Sequence, residues 1–393
     1  MKKTLFLAVA ALTSLACSTH REITVAVTNP TTLERSDEMV ELSMHDIATR
    51  LVLADTAQII VLNEDNEQVP VQVTYDDKLM FPVHVAAGGK ATYTITTGIP
   101  VPMPTIACGR FYPERKDDLA WENDLIAFRA YGPALQASGE RAFGYDVWTK
   151  YNTTQPVVEA RYADELERGI SYHKDHGNGL DCYKVGPTLG GGTAALLDDG
   201  NIVYPYCFKT YEILDNGPLR FTVKLTYHPL VVQKDSAVIE TRLISLDVGS
   251  HLNKTVVTYS NLSETTPIAA GIVLHEPDGN ITADADNGYM TYSDPTDNVN
   301  NDNGRIFVGI ACPDQVNEAR TVLFGKQERN ARGADGHLLA IGNYQPGTAY
   351  TYYWGAAWSK ADIPDMAAWN QYMADFAQKV RHPLAVEVLL PIN

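Results

Sequence analysis

The chain has 393 residues, enough for two domains or one large all-β unit, and 45% of them are hydrophobic, which is ample for a sizeable core. It carries 31 Lys and Arg against 48 Asp and Glu, a formal net charge of −17. Nucleic-acid binding needs a basic surface that displaces counterions, so this charge argues against a nucleic-acid partner. An acidic polysaccharide would have to enter a locally basic cleft.

The first residues predict export. Lys2 and Lys3 precede an apolar run from residue 5 to 12, which is long enough for a signal peptide but too short to span a bilayer. The small residue before Cys17 resembles a bacterial lipoprotein processing site. We therefore expect residues 1–16 to be a signal peptide and Cys17 to carry a lipid. The protein would then be periplasmic or anchored to the cell envelope, with ordinary signal cleavage as the alternative.

Short β-rich runs broken by Gly, Pro, Asn and Asp predict an all-β fold. Runs between residues 22 and 100 have the spacing of a small β-sandwich. Three prolines in Pro100–Pro104 cannot join a central strand and predict a linker. Residues 105–393 are expected to form a larger β-sandwich domain that carries the functional site.

Alternation along two predicted strands assigns their faces. In 220–228 the apolar residues share one face, while Lys224 and His228 lie on a polar, basic face that either binds an anion or is simply solvated. In 123–131 the same period places Asn123, Arg129 and Tyr131 on one face.

A third predicted strand, 268–276, ends in His275 and Glu276. These neighbours are expected to point to opposite sides of the sheet, so both could enter one cleft only with a bulge. Near the C-terminus, apolar residues recur at spacings of three and four after Asp365 and predict an amphipathic helix that packs on the sheet, followed by a closing strand at 383–388.

The segment SYHKDHGNGLDCYKVGPTLGGG, residues 171–192, combines six glycines with two histidines, two aspartates and two tyrosines. Glycine allows sharp turns and close approach to a ligand, so the cluster predicts a binding or catalytic site. The alternative is a polar loop whose side chains satisfy backbone groups. Its candidate donors, acceptors and proton carriers are His173, Asp175, His176, Asp181 and Tyr183.

One chemistry for this segment is β-elimination beside a sugar carboxylate. A lyase must neutralise the uronate carboxylate, remove the adjacent proton and protonate the leaving oxygen. The catalytic candidates are Arg129, His173, His176 and Tyr183. The substrate-binding candidates are Asn123, Tyr131, Asp175, Asp181, Lys224 and His228.

Two other chemistries stay open. Imidazole and carboxylate side chains in the segment could hold a divalent metal, although their spacing selects no particular one and no cofactor is certain. Hydrolysis by two carboxylates is possible, but the sequence does not choose the pair among 48 acidic residues. The signatures of lipases, kinases and NAD enzymes are absent from the sequence.

Four cysteines follow Cys17, namely Cys108, Cys182, Cys207 and Cys312. An even number in an exported chain permits up to two disulfides, and the absence of a CxxC motif argues against structural zinc. A Cys182–Cys207 pair and buried free thiols are both open.

Residues Trp121–Pro133 resemble the hallmark of a bacterial family known as domain of unknown function 4861. Three further stretches, Ile23–Glu41, Tyr172–Gly186 and Tyr353–Ser359, are similar to the family in the same order. The resemblance implies an exported protein of polysaccharide-utilising bacteria, often encoded beside uronic-acid-processing enzymes. It also implies a fold similar to the β-supersandwich of galactose mutarotases and several polysaccharide lyases.

Together these observations predict a carbohydrate-active periplasmic protein that degrades a uronate-containing glycan by lyase-type β-elimination or by hydrolysis. A non-catalytic glycan-binding lipoprotein is the alternative from another class, and a sugar epimerase or mutarotase is a third. The expected partner is a carbohydrate, with membrane contact only through the lipid on Cys17.

Overall fold

The computed structural model describes residues 22–51, 58–276, 279, 281–314 and 316–389. The fold is mostly antiparallel β-structure, with 46% strand and 14% helix, and this confirms the predicted all-β class. The predicted signal peptide and Cys17 lie outside the described residues, so both stay predictions.

Among the described residues up to 97, seven strands and a short helix make up the N-terminal part. They are β1 (Glu22–Thr28), β2 (Arg35–Ser43), α1 (Met44–Ala48), β3 (Ile59–Leu62), β4 (Gln68–Val69), β5 (Gln72–Val73), β6 (Lys78–Val85) and β7 (Lys90–Thr97). Buried apolar residues from both of its sheets, including Val25, Phe81 and Ile95, form one core. The predicted proline linker lies between β7 and the next strand.

The rest of the chain contains nineteen described strands and four described α-helices. Its first half contains β8 (Cys108–Tyr112), β9 (Asp118–Glu122), β10 (Ala127–Ala130), α2 (Pro133–Ala137), β11 (Asp146–Trp148), α3 (Val158–Arg168), β12 (Gly191–Asp198), β13 (Asn201–Ile202), β14 (Thr210–Asn216), β15 (Arg220–Thr226), β16 (Leu230–Val232), β17 (Asp235–Asp247) and β18 (Leu252–Ser260). Its second half contains β19 (Thr266–Leu274), β20 (Ile281–Asp284), β21 (Tyr289–Asp294), β22 (Ile306–Ala311), β23 (Glu318–Leu323), α4 (Lys326–Arg332), β24 (Gly336–Tyr344), β25 (Tyr350–Trp358), α5 (Met366–Arg381) and β26 (Ala385–Leu389).

Two large sheets pack face to face in this part. One has the order β13-β12-β19-β24-β23, and the other runs β14-β15-β17-β18-β25-β22-β21-β20 with β16 beside β17. Phe221, Val223 and Leu225 of β15 are buried, whereas Lys224 is exposed, so the predicted alternation of this strand is confirmed. A smaller sheet, β11-β10-β9-β8, covers one end of the core and carries Arg129 on β10.

The predicted C-terminal helix is α5. Asp365 caps it by accepting a hydrogen bond from the backbone of Ala368 at 2.9 Å, and its apolar stripe packs Trp369 and Met373 against the sheet. Four other helices occur in the described part of the chain, beyond the single one that the sequence predicted. Among the described helices, none is long and apolar enough to cross a membrane.

The last strand returns to the beginning of the chain. β26 pairs with β1 in antiparallel register, with Val27 opposite Val386 and Thr24 opposite Leu389. The predicted closing strand therefore completes the N-terminal five-stranded sheet, in the order β26-β1-β7-β3-β4.

Candidate functional site

The loop 171–190 between α3 and β12 is held by bonds within itself and by a bond from Tyr151, which precedes α3. Oδ1 of Asp175 accepts hydrogen bonds from the backbone of Gly177 and Gly179 at 2.8 and 3.0 Å, and Oδ2 accepts one from the Tyr151 hydroxyl at 3.0 Å. Nε2 of His176 lies 3.1 Å from the Ser171 carbonyl oxygen. Asp175 and His176 therefore have the loop-stabilising contacts of the polar-loop alternative.

Gly179 shows why this loop needs glycine. Its φ is +88°, and a Cβ there would lie 2.3 Å from the Thr149 carbonyl oxygen. The left-handed backbone and the close approach both exclude a side chain.

Arg129 lies at the centre of three buried carboxylates. Its Nη2 is 2.5 Å from Asp146 Oδ2 and 3.0 Å from Asp181 Oδ2, and its Nη1 is 3.5 Å from Asp118 Oδ2. Since this guanidinium is committed to the Asp118, Asp146 and Asp181 carboxylates, it has little capacity left to bind a substrate carboxylate.

The carboxylates of this cluster have raised pKa values. Burial raises the pKa of Asp118 to about 6, although the charges of Arg129 and Arg115 oppose the shift. Burial also raises the pKa of Asp146 against the effect of Arg129, and it raises that of Asp181 with a further contribution from Asp146. Three carboxylates packed out of water around one cation favour partial protonation.

His173 is the outermost residue of this region. Its side chain is 51% exposed, and Nδ1 lies 3.0 Å from the Asp181 carbonyl oxygen and 3.7 Å from Asp181 Oδ2. Its ring contacts Tyr172, which stacks on Trp148. The structure thus places His173 and Arg129 each beside the Asp181 carboxylate, and their catalytic roles stay predictions.

A polar cavity of about 620 Å³ lies beside this segment. Its wall includes Lys184, His275, Glu276, Thr296, Asp297 and Arg329. A cavity of this size accommodates a small saccharide. Lys184 comes from the glycine-rich segment, and the backbone of Asp297 binds the Cys182 carbonyl oxygen at 2.8 Å, so the segment forms one side of the cavity.

His275 forms an acid–base pair in the cavity wall. Its Nδ1 lies 2.7 Å from Oδ2 of the buried Asp294, and its Nε2 is buried with no hydrogen-bond partner. A carboxylate on Nδ1 fixes the tautomer that leaves a lone pair on Nε2. This is the arrangement of a histidine that can take a proton.

Tyr183 packs against His275. Their ring centroids are 6.3 Å apart at an interplanar angle of 80°, and the Tyr183 hydroxyl is buried with no partner. Burial raises the pKa of Tyr183 well above its ordinary value, and the charges of Asp294 and Asp146 raise it further. The hydroxyl therefore keeps its proton at neutral pH and can donate it.

The backbone around the cavity is strained at Thr296. This buried β-branched residue has a φ of +73°, which L-residues with branched side chains rarely adopt. Its amide donates to Asp294 Oδ1 at 2.9 Å, and its hydroxyl has no partner. Strain of this kind concentrates at functional sites.

His275 and Glu276 both line the cavity, so the expectation that they face opposite sides is wrong. β19 ends at Leu274, and both following amides donate to the Tyr292 hydroxyl, at 3.0 Å from His275 and 2.8 Å from Glu276. Because one acceptor collects two successive amides, the chain bends and the alternation of the strand no longer applies.

Three substrate-binding candidates lie elsewhere. Asn123 is buried, its amide nitrogen donates to the carbonyls of Asp247 and Ser250, and its oxygen accepts from two backbone amides, so it joins two loops. Lys224 pairs with Glu212 on the neighbouring strand at 3.5 Å, and His228 is exposed beyond the end of β15. Tyr131, by contrast, lies under the Arg129 guanidinium, 5.1 Å from it.

The described residues form no group of three or more His, Cys, Asp or Glu side chains that could hold a metal ion. The histidines and aspartates of the segment have the backbone and side-chain partners given above instead. Cys108, Cys182, Cys207 and Cys312 are all free, so the alternative of buried free thiols applies and the Cys182–Cys207 pair does not form.

Comparison with known proteins identifies the family. The model of the family described as Domain of unknown function (DUF4861) matches residues 27–386. The chain belongs to this family, and the predicted resemblance is confirmed. This chain is also similar to "Uncharacterized protein P7" of Formosa agariphila, with 27% identity over 400 residues that cover 94% of each protein.

Two solved structures share the fold of this DUF4861 chain. An alpha-mannosidase from Enterococcus faecalis V583 aligns with a TM-score of 0.53 and 8% identity over 95% of this chain and 47% of its own. A glycosyl hydrolase family 38 protein from Enterococcus faecalis aligns with a TM-score of 0.52 and 8% identity over 95% of this chain and 48% of its own. The chain spans about half the length of these proteins, and at this identity the likeness concerns the fold alone.

Sequence reasoning did not assign His275 and Asp294 to the site. His275 was noted only as a strand end, and Asp294 ends β21, which is hydrogen-bonded to β22 of the other large sheet. The sequence signal that could have found this site is the polar pair His275 and Glu276 directly after the buried strand β19. Polar residues at the ends of buried strands are good candidates for a functional site, because loops at strand ends often carry function.

Proposed function

We propose that this protein is an enzyme that degrades uronate-containing glycans by β-elimination in the cavity beside His275. The observation that carries the proposal is the His275–Asp294 pair, with Nδ1 held at 2.7 Å and Nε2 unpartnered in the cavity wall. The similarity in fold to a protein titled alpha-mannosidase is consistent with a carbohydrate substrate.

The reaction begins with proton removal. Nε2 of His275 takes the proton from the sugar carbon adjacent to the carboxylate, while Asp294 stabilises the imidazolium that forms. The electron pair of the broken C–H bond becomes a carbon–carbon double bond as the glycosidic C–O bond on the next carbon breaks.

The leaving oxygen needs a proton, and Tyr183 is the proposed donor. Its hydroxyl carries its proton at neutral pH, as an ordinary tyrosine does, and the raised pKa makes it a weaker acid that gives up the proton only to a strongly basic leaving oxygen. His275 and Tyr183 are thus the proposed base and acid, and their rings are adjacent, with centroids 6.3 Å apart.

Cationic side chains at the cavity prepare the substrate. Lys184, Lys326 and Arg329 line it, and Arg329 is shared with Asp335 at 3.5 Å. An ammonium or guanidinium group that binds the uronate carboxylate makes the adjacent proton more acidic. Glu276, Asp297 and Asp335 line the same cavity, so the uronate carboxylate would have to pair with these cations directly rather than enter a basic cleft.

The experiment incubates the purified protein with polygalacturonate and alginate oligosaccharides and follows the ultraviolet absorbance of an unsaturated product. We expect product from the native protein, and we expect His275→Ala to lower turnover by about 10²- to 10⁴-fold, the usual contribution of a general base. Tyr183→Phe should lower it in the same way. His84→Ala, which changes a histidine with a side chain 65% exposed, is the matched control and should keep full turnover.

Other outcomes identify the alternatives. Sugar release without ultraviolet absorbance would replace elimination with hydrolysis, and inverted sugar configuration without cleavage would indicate an epimerase. Binding of the glycans without any product would make the protein a glycan-binding lipoprotein.

We also propose that the protein is exported and anchored by a lipid on Cys17. The support is the charged and apolar start of the chain followed by a small residue and cysteine. Cys17→Ala should move the protein from the membrane fraction to the soluble fraction when cells are separated, and it should abolish incorporation of labelled palmitate. Retention of the label in this variant would contradict the proposal.

A further inference from the structure

A second groove, of about 470 Å³, lies on another part of the molecule. It forms where the start of β2, the open ends of β15 and β17, and helix α5 meet. None of the residues that line it lines the His275 cavity. Clefts between packed units of this kind are preferred places for ligand sites.

Three aromatic side chains form one wall of this groove. Tyr353 of β25 and Tyr372 and Phe376 of α5 are each half-buried. The ring centroids of Tyr353 and Phe376 are 5.1 Å apart at 68°, and those of Tyr372 and Phe376 are 6.2 Å apart at 27°. Half-buried aromatic rings present an apolar face together with a polar edge.

Charged residues surround the aromatic wall, and carboxylates outnumber cations. The lining has three cations, Arg220, Lys254 and Lys379, and five carboxylates, Asp37, Glu38, Glu41, Asp247 and Asp375. The floor is fixed, because Arg220 forms ion pairs with Glu41 of β2 and Asp247 of β17. The groove therefore offers both donors and acceptors, with an excess of carboxylates.

The β2 side of the groove contains a bulge. The pairing of β2 with β6 shifts between Arg35 and Glu38, and Asp37 has a left-handed φ of 54°. The buried Arg35 holds this shape through bonds to Glu38 and to the His382 carbonyl oxygen. Bulges redirect side chains and are common beside functional sites.

We propose that this groove is a second saccharide-binding site, which holds a weakly charged stretch of a glycan chain apart from the His275 cavity. A sugar ring has an apolar C–H face that stacks on an aromatic ring and a rim of hydroxyl groups that need both donors and acceptors. The groove supplies both. A lipid would meet the charged rim, and a strongly anionic polymer would meet the excess of carboxylates.

The test measures retardation of the protein in native gels that contain a soluble neutral β-glucan or polygalacturonate. It uses the full chain with His275→Ala, so that turnover does not consume the polymer. We expect the neutral β-glucan to retard this protein, and Phe376→Ala to weaken that binding about tenfold or more. Retardation by polygalacturonate that Phe376→Ala weakens in the same way would contradict a groove for a weakly charged glycan. Tyr211→Ala, which changes an exposed tyrosine stacked on Phe111, is the matched control and should bind like the parent.

Phe376 contributes to packing beneath α5, so the thermal unfolding of the Phe376→Ala variant must be compared with that of the parent protein. A double variant, Asp375→Ala and Lys379→Ala, changes only the polar rim and should also weaken binding. Unchanged retardation in both groove variants would overturn the proposal, as would a parent protein that the neutral β-glucan does not retard. Capture of a protein or peptide in the groove would also overturn it.

The outcomes for the two sites are separable. Turnover of short oligosaccharides depends on the cavity and should be unchanged in Phe376→Ala in the presence of native His275. If His275→Ala keeps polymer binding but the native protein makes no product, the proposed enzyme activity fails and the groove stands. If turnover is normal and both groove variants bind polymer like the parent, only the groove fails.

Discussion

The carboxyl group of Asp118 is buried, and hydrogen bonds and ion pairs compensate its charge only weakly. Its Oδ1 has no hydrogen-bond partner, and its Oδ2 has the Tyr162 hydroxyl at 3.3 Å and Arg129 at 3.5 Å. A buried carboxylate with these long contacts favours its neutral form, which is the cause of its raised pKa. The Arg129 cluster therefore changes its charge state within a mildly acidic range.

The first prediction concerns stability against pH. Asp118 has a pKa of about 6 in the folded chain against 3.8 for a model group, so the folded state binds more protons between these values. Stability from this residue is therefore present at low pH and falls as pH rises from about 4 to 6, by about 3 kcal/mol at most. Asp118→Asn should remove this fall, which urea unfolding across pH 4 to 7.5 would measure.

The comparison must use the difference between the native protein and the variant, because His337 titrates with the opposite sign. Burial lowers the pKa of His337 to about 3, so the unfolded state binds its proton first and stability from His337 is lost as pH falls below about 6.5. Parallel curves for native protein and Asp118→Asn would show that Asp118 keeps an ordinary pKa.

The sequence predicts some residues of the candidate site and misses others, and the difference has a physical reason. The dense polar segment 171–192 points to Asp181 and Tyr183, the alternation of 123–131 points to Arg129, and the structure places Arg129 and Asp181 in contact. His275 and Asp294 are 19 residues apart and meet only across the fold. A contact between distant residues leaves no mark on local spacing.

Among the elements, the bend after β19 determines the cavity wall. Tyr292 is fully buried, and its hydroxyl accepts hydrogen bonds from two successive amides. Tyr292→Phe leaves both amides without this acceptor, so we expect a loss of about 1–3 kcal/mol in the free energy of unfolding. We also expect lower turnover, because His275 loses its position.

Chemical denaturation and turnover on the same preparations check this prediction. Tyr289→Phe is the control, since it removes a hydroxyl from the same strand at a half-buried position. Equal stability and turnover of Tyr292→Phe and native protein would show that another contact fixes the bend.

Helices α3 and α5 show which elements local sequence could predict. α5 has an apolar stripe and its own cap at Asp365, so its pattern is complete within the helix. α3 has no side-chain cap of its own, and the distant Glu122 accepts hydrogen bonds from the amides of Val157 and Val158 at its start. Its stabilising partner lies 36 residues earlier, where sequence periodicity cannot detect it.

For the whole molecule, the pairing of β26 with β1 connects the two ends of the described chain. Removing residues 385–393 would delete this edge strand and uncover the apolar packing of Val386 and Val388 on the N-terminal core. We expect the N-terminal sheet to unfold at a lower temperature than the two large sheets, as a separate calorimetric transition. A chain that ends after residue 390 keeps β26 and is the control, and a single unchanged transition in the shorter chain would contradict the prediction.

The same pairing constrains the order in which the molecule forms. Segments usually fold as they emerge, from the N-terminus onward. Here β1 waits for a distant segment, because it cannot gain its neighbour β26 until Leu389 has been synthesised. The two large sheets lie between these two strands in the chain, so the N-terminal sheet stays incomplete while they are made and its closing is a late step of folding.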